Sequence, residues 1–436
     1  MLRKLLISTA VVCVVAAGAF ARTPREASVD SLKNSHRVVH IGGGANAASP
    51  DSIHSIINDF YLDQFRQFDN PGAPYFMFMT KDAHMALGMG GTVRLRGWYD
   101  WGGSISGQAF SPYLINMNPD PRSIRDLDAN PSGSNIFFRM IGRHTKIGHY
   151  QLYLEAEFSG YNGVDFSLKK AYATLNDWTI GYASTTFSDP QALPPSVDAQ
   201  GPNNKMDATA VLVRYMHTFK PGIVLAASVE NPVKQTAIDA EDAVSTTTWL
   251  PDLGFFLQYQ WGNNSMQHIR FSAVTRQLTY RNLLTSTNHH FVGWGLQLSA
   301  VANICKPLTL YATVNGGRGM AGLGGDWIMN NFDLVRDPEK PGTLYAPEVF
   351  GFMASVQYHF RHNLFASLTW GQAHYFQKDG TPGSDYRYGL YSAANVFYNL
   401  TPRIQFGLGF NIGKRVNVDH TSRWGRRLCA VASFSF

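Results

Sequence analysis

Residues 403–436 read RIQFGLGFNIGKRVNVDHTSRWGRRLCAVASFSF. Ile404, Phe406, Leu408, Phe410 and Ile412 take every second position, with Gln405, Gly407, Gly409, Asn411 and Gly413 between them. After a polar loop the alternation resumes at Leu428, Ala430, Ala432, Phe434 and Phe436. A period of two, apolar on one face and polar or small on the other, predicts strands lying between two unlike environments.

The same pattern recurs upstream and predicts sixteen strands. They fall at about 88–100, 135–144, 148–159, 166–175, 178–186, 207–218, 223–230 and 253–261, then 267–279, 290–302, 308–316, 348–360, 363–373, 387–399, 403–414 and 426–436. Most approach the 9–11 residues that cross a bilayer at a tilt. Tight turns (Asn176-Asp177, Lys306-Pro307, Arg361–Asn363) alternate with long loops at 101–134, 187–206, 231–252, 317–347, 374–386 and 415–425. Short connections on one side and long ones on the other suit an outer-membrane barrel. A sheet in lipid must close, because an open edge leaves N–H and C=O groups without partners. The expected class is therefore all-β: a transmembrane antiparallel β-barrel of about sixteen strands with a short N-terminal amphipathic helix. At that size the barrel leaves an aqueous lumen. A soluble β-sandwich would alternate too, but its turns would not alternate in length so regularly.

The opening MLRKLLISTAVVCVVAAGAFA has a basic start (Arg3, Lys4), an apolar core and an A-x-A end, as a secretory signal peptide over 1–21 would. Its removal lowers the formal charge from +6 to +4. Elsewhere no run holds the roughly 18 apolar residues of a membrane helix, and the mean hydropathy of −0.16 reflects alternation. Residues 22–85 read as a periplasmic extension. Within it Ile53, Ile56, Ile57, Phe60, Phe65 and Phe68 space an amphipathic helix at about 51–68, with Asp51 or Ser52 as N-cap. That helix would pack on its own barrel or form a short trimeric coiled coil. The barrel occupies 86–436. Cys305 and Cys429 are too few for a disulfide framework in an exported chain.

Parity then assigns faces. Val93, Leu95 and Tyr99 point to lipid and leave Arg94 and Arg96 in the lumen; Leu152, Leu154 and Phe158 likewise leave Glu155 and Glu157 inside. Val211, Val213 and Tyr215 place Arg214 inward, and weaker alternation does the same for Arg139, Lys170, Arg270 and Arg276. An arginine at the lipid midplane costs a few kcal/mol, so strand arginines face inward or sit near an interface. These nine residues are the expected pore lining. Two readings remain open. The basic wall could draw in small anionic solutes, since guanidinium forks match carboxylate and phosphate oxygens. Alternatively, Arg94 and Arg96 could pair with Glu155 and Glu157 and merely solvate the wall. The 187–206 loop, with Asp189, Pro190, Pro194, Asp198 and Pro202, is stiffened by proline and is expected to fold into the lumen as a constriction; an ordinary surface loop is the alternative.

The segments Gly181–Pro202, Pro251–Tyr280 and Ser392–Arg415 resemble the DcaP-like outer-membrane porins, with similar texture from about Leu87 to Phe436. The resemblance implies a homotrimer of sixteen-stranded barrels that takes up small anionic solutes such as dicarboxylates, with Arg214 and Arg276 in the pore. The chain departs from that pattern at YFMFMTKDAHMALGMGG, ahead of its first strand.

Other motifs carry less. Gly317–Gly322 fits G-x-G-x-x-G but leads into Gly324-Gly325 instead of opening a helix, so it reads as a flexible surface loop. Asp126 and Asp128 open like a calcium loop, yet Pro131 and Phe137 stand where the turn glycine and bidentate Glu belong. His289 and His290 point to opposite faces, and the pairs Lys169-Lys170 and Arg426-Arg427 are too short for nucleic acid. No cofactor, metal or catalytic group is expected. The sequence thus predicts a passive channel in the outer membrane of a Gram-negative bacterium, with lipid around it and the terminal Phe436 recognised by the barrel-assembly machinery. A non-conducting receptor or adhesin barrel and a channel for neutral sugars are the other readings; the latter needs an aromatic slide, and the inward positions offer only the scattered Tyr153, Phe256 and Phe291.

Overall fold

The computed structural model describes residues 37–41, 50–62, 68, 72, 74 and 76–436, apart from 104, 106, 161–162, 220–221, 239, 263–266 and 330–331. The expected leader at 1–21 and Phe65 lie outside the described residues.

Sixteen long strands form the wall. They are β1 (Met85–Trp101), β2 (Asn135–His144), β3 (Gly148–Ser159), β4 (Asp165–Leu175), β5 (Trp178–Ser184), β6 (Thr209–Phe219), β7 (Ile223–Glu230) and β8 (Asp252–Trp261). The second half comprises β9 (Gln267–Asn282), β10 (Thr287–Cys305), β11 (Leu308–Arg318), β12 (Glu348–Arg361), β13 (Leu364–Phe376), β14 (Tyr386–Thr401), β15 (Ile404–Asn417) and β16 (Ser422–Ser435). Each pairs antiparallel with the next, and β16 returns to β1 from Arg426↔Trp101 to Ser435↔Thr92. The closing register ends where Phe436 and Gly91 exchange both backbone hydrogen bonds, at 2.9 and 3.0 Å. A Cβ on Gly91 would lie 2.4 Å from the Asn135 carbonyl, so the seam needs glycine there. The fold is a closed sixteen-strand antiparallel barrel, and no edge of the wall is left open to lipid at the closure.

The period-two faces follow parity. Val93, Leu95, Leu154, Val211, Leu296, Leu368 and Leu408 are exposed on the outside, and the alternate residues are covered within. Among the described residues no helix is long and apolar enough to cross a membrane.

The first helix, α1 (Pro50–Leu62), starts one or two residues before the expected cap, and Phe68 is helical too. Its Ile56, Ile57 and Phe60 pack against Met77, Met79, Ala83, Ala86 and Ile141. The strand Phe76–Thr80 pairs with the start of β1, from Phe76↔Met89 to Met79↔Ala86, just below the point where β16 ends. Two further segments refine the predicted strands. Arg125–Asn130 pairs with the upper part of β1, above the irregularity that separates it from β2. Ala243–Ser245 pairs with the end of β9.

Candidate functional site: the lumen

Inward-facing arginines crowd the interior. Arg96, Arg139, Arg214, Arg270, Arg276 and Arg427 are between 0% and 6% exposed, an unusual depth for guanidinium groups. Carboxylates of the described residues hold Arg270, Arg276 and Arg427. Arg270 lies 3.3 Å from Asp189, Arg276 lies 3.2 Å from Asp252 and 3.3 Å from Asp333, and Arg427 grips Asp100 through two bonds of 2.7 and 2.8 Å. Arg139 bonds Gln151 and the Phe60 carbonyl, and Arg214 bonds the Ser184 carbonyl at 3.1 Å.

Arg94 and Arg96 meet neutral oxygens: Arg94 Nε donates to Ser433 Oγ at 3.2 Å, and Arg96 Nε to the Val197 carbonyl at 2.9 Å. Neither makes a direct ion pair with Glu155 or Glu157, although the Glu157 charge acts on Arg94, and that of Asp198 on Arg96, from farther off. The carboxylates of Glu155 and Glu157 are taken by Lys169, at 3.2 and 2.8 Å, because a bulge between Glu155 and Ala156 in the β3–β4 pairing turns Lys169 as well as Lys170 inward. Strict parity missed Lys169 for that reason. Arg427 was legible, since the outward Leu428 fixes its face.

The loop between β5 and β6 crosses the lumen. It leaves the wall at Thr185, and Pro190 opens a short 3-10 turn. Asp189 is buried beneath that turn, against His268 at 2.9 Å, Arg270, and Ser299. Burial would raise its pKa, yet Arg270, His268 and Ser299 hold it well below the ordinary carboxylate range. Farther on, Ser367 donates to the Pro195 carbonyl, the Val197 amide to Asn395, and Asn203 to the Gly389 carbonyl. Asp198 accepts the amides of Phe110, Gln200 and Gly201. Pro194 and Pro202 are buried with the rest of the crossing. The 187–206 loop therefore reaches from β9 and β10 to β13–β15.

Two more loops join it, and neither was predicted to. Ile105, Phe110 and Ile115 of the first loop pack on Tyr391 and Ala393. The Gly317–Gly322 stretch is not a surface loop: Met320, Ala321, Leu323 and Trp327 are buried against Phe187 and Met206, where the apolar side chains escape water. Asp326 at the centre accepts from Ser111, Tyr386 and Asn203. Burial outweighs those three donors and pushes its pKa up to about 6. Asp126 and Asp128 are exposed on a strand, and no metal-binding cluster occurs among the described residues. Above the crossing, a cavity of about 510 Å³ is lined by Tyr113, Phe332, Tyr386, Arg336, Asp337 and Arg415. Arg415 donates to Asn417 at 3.0 Å and to the Tyr113 carbonyl at 2.8 Å, lying over the Tyr113 ring.

No protein-family model and no curated protein matches the chain. Solved structures do. The outer membrane channel DcaP of Acinetobacter baumannii aligns with a TM-score of 0.66 at 18% identity, over 81% of this chain and 98% of that one. Outer-membrane expressed OmpT of Vibrio cholerae gives 0.51 at 10% identity, over 81% and 98%. The trimer form of in-vitro folded OmpT from the same organism gives 0.51 at 9% identity, over 81% and 99%. At these identities the likeness is one of fold.

Proposed function

We propose that the protein is an outer-membrane porin: a passive channel for small hydrophilic solutes that favours anions such as dicarboxylates. The observation that carries this reading is the pair Arg94 and Arg96. They face the lumen beside Val197 of the crossing loop, bonded to neutral oxygens and without a direct ion pair among the described residues, the charges of Glu157 and Asp198 acting on them only from farther off. Field from such groups is focused by low-dielectric walls and raises the local anion concentration. Arg415, at the upper cavity, bonds neutral oxygens as well, with the Asp385 carboxylate in the same lining. The crossing loop, with Asp189, Pro190, Pro194, Asp198 and Pro202, would set the narrowest zone. The other lining residues, Arg139, Glu155, Glu157, Lys170, Arg214, Arg270 and Arg276, would shape the field around it.

In this reading residues 1–21 are removed on export, 22–85 lie on the periplasmic side and 86–436 span the outer membrane. Phe436 is the signal to the assembly machinery, and the barrel works as a homotrimer, as the trimer form of OmpT does. Transport follows the solute gradient, without catalysis or cofactor.

Planar-bilayer recording tests the proposal. The purified protein should give stable open-channel steps, and replacing Arg94 and Arg96 with Gln should lower the anion-to-cation permeability ratio. An unchanged reversal potential in a salt gradient would remove the anion assignment. Absence of any steps would favour a receptor barrel.

A further inference from the structure

The upper cavity, at about 510 Å³, falls within the roughly 300–1,000 Å³ of small-molecule sites. Four loops and one strand meet around it. Tyr113 comes from the first loop, Ile238 from 231–252, Phe332 from 317–347, Gln377 and Asp385 from 374–386, and Arg415 from β15. Two further charges of the lining are already matched: Arg336 pairs with Asp242 at 3.4 Å, and Asp337 with Lys378. Arg415 and Asp385 remain. Each feels the other's charge, but neither stands in an ion pair among the described residues.

Both groups have hydrogen-bonding capacity to spare. A guanidinium donates through Nε and through both terminal nitrogens. Arg415 uses Nε on Asn417 and NH1 on the Tyr113 carbonyl, which sets its plane over the Tyr113 ring and leaves NH2 without an acceptor among the described residues. The Asp385 carboxylate accepts no hydrogen bond from those residues, and burial pushes its pKa above the ordinary value against the pull of Arg415. Oε1 of Gln377, in the same lining, is buried without a donor. Acceptors hidden from water without partners are costly, and a ligand's own donors would remove that cost. The apolar part of the lining is braced: Tyr113 packs edge-on against Phe332 and Tyr386, with centroids 5.4 and 5.3 Å away.

We propose that this cavity binds a zwitterionic solute of the amino-acid class that carries an apolar or aromatic side chain. The solute's carboxylate meets NH2 of Arg415, its ammonium group meets the Asp385 carboxylate and Gln377 Oε1, and its side chain lies against Tyr113, Phe332 and Ile238. A solute with a carboxylate alone serves Arg415 but brings a like charge toward Asp385. An amine alone fails in the opposite way. Opposite charges kept apart in one lining therefore select for a ligand that has both. This ligand class goes beyond the small anions proposed above, and binding at the cavity does not depend on conduction.

Saturation-transfer NMR titrations of the processed chain in detergent micelles test it. Three probes share a phenyl ring and differ in charge at neutral pH: L-phenylalanine is a zwitterion, phenylacetate an anion and phenethylamine a cation. Phenylalanine should bind about tenfold more tightly than either of the others, the factor that one charge-assisted hydrogen bond provides. Asp385→Asn should lower phenylalanine affinity by about the same factor and leave phenylacetate as tight or tighter. Arg415→Gln should weaken both. Arg415 also braces Tyr113, so the deciding variant is Asp385→Asn, whose side chain holds no loop in place. Undiminished phenylalanine binding in that variant would overturn the proposal. Phenylacetate binding the unaltered protein as tightly as phenylalanine would overturn it too, leaving the anion site that the channel reading alone expects. Failure of all three probes to bind would remove the site and leave the channel reading to the bilayer recordings.

Discussion

At the long-loop end of the lumen the inserted chain is fixed by a lattice of hydrogen bonds reaching β9, β10 and β13–β15, and by ion pairs from which water is excluded. At the short-turn end the contacts among the described residues are ring faces, a bond from Arg139 to the Phe60 carbonyl, one from the Gly72 amide to Tyr153, and a partly exposed clamp at Arg143. Both ends bury aromatic side chains, but the bonds differ in what it costs to undo them. Breaking a buried ion pair by removing one partner costs about 3–5 kcal/mol. Withdrawing one phenyl ring costs about 1.5–3 kcal/mol of burial, with roughly 0.5–2 kcal/mol more for guanidinium stacking. Among the described residues, then, the crossing loop is anchored by buried ion pairs and the chain at the other mouth by ring contacts and a screened pair.

The sharpest way to break this contrast is at Asp189. Its carboxylate faces Arg270, His268 and Ser299 with side-chain exposure of only 1%. Asp189→Ala should cost about 3–5 kcal/mol, read as a lower urea midpoint for barrel unfolding. An unaltered midpoint would mean the crossing loop is not anchored there. Removing Ala192–Pro202 tests the same loop by conductance: the step should grow, and an unchanged step would show that the narrowest zone lies elsewhere.

What the sequence revealed follows the same division. The sixteen strands and their outward faces were legible because lipid forces a strict period of two, as at Val211, Val213 and Tyr215 around Arg214. The prolines of 187–206 marked a stiffened loop, while its contacts with Ser299, Ser367 and Asn395 lie far off in sequence. Lys169 was not legible, because one bulge shifts its face. The burial of Gly317–Gly322 was hidden too. Its glycines suit a free loop equally well, and only contact with distant Phe187 and Met206 makes Met320 and Leu323 interior. Phe68 was legible as helical and is so in the structure, but spacing along the chain says nothing of its contacts with Met216, Val224 and Phe256. Strand faces are set by nearest neighbours in sequence, whereas the filling of the lumen is set by partners far apart.

A smaller effect is expected from Asp326, where the first loop, the crossing loop and the 317–347 loop meet. Its carboxyl ionises near 3.8 when exposed but keeps its proton to about 6 in the folded chain. The folded state therefore binds the extra proton across that window, and stability falls as pH rises through it. Two pKa units correspond to roughly 3 kcal/mol. The urea midpoint of the unaltered protein should fall between pH 4.5 and pH 7 by more than that of Asp326→Asn. Equal falls in the two proteins would show that this carboxyl is not what couples the upper loops to pH.

The weakest element, and so the one that most finely separates the two ends, is the clamp at the rim. Arg143 Nε donates to Asp59 at 2.8 Å and NH1 to Ser55 at 2.8 Å, but the side chains of Arg143 and Asp59 remain 33% and 27% exposed. Solvent screening limits such a pair to about 0.2–1 kcal/mol. Arg143→Gln should leave the unfolding midpoint of the barrel in place and speed hydrogen exchange in α1 by no more than about fivefold, the factor that 1 kcal/mol provides. High salt should reproduce much of that change in the unaltered protein. A far larger acceleration would mean that the clamp, and not the packing of Ile56, Ile57 and Phe60 on Met77 and Ile141, seats the helix. The short-turn end would then be held by charge, as the long-loop end is, and the contrast between them would fall.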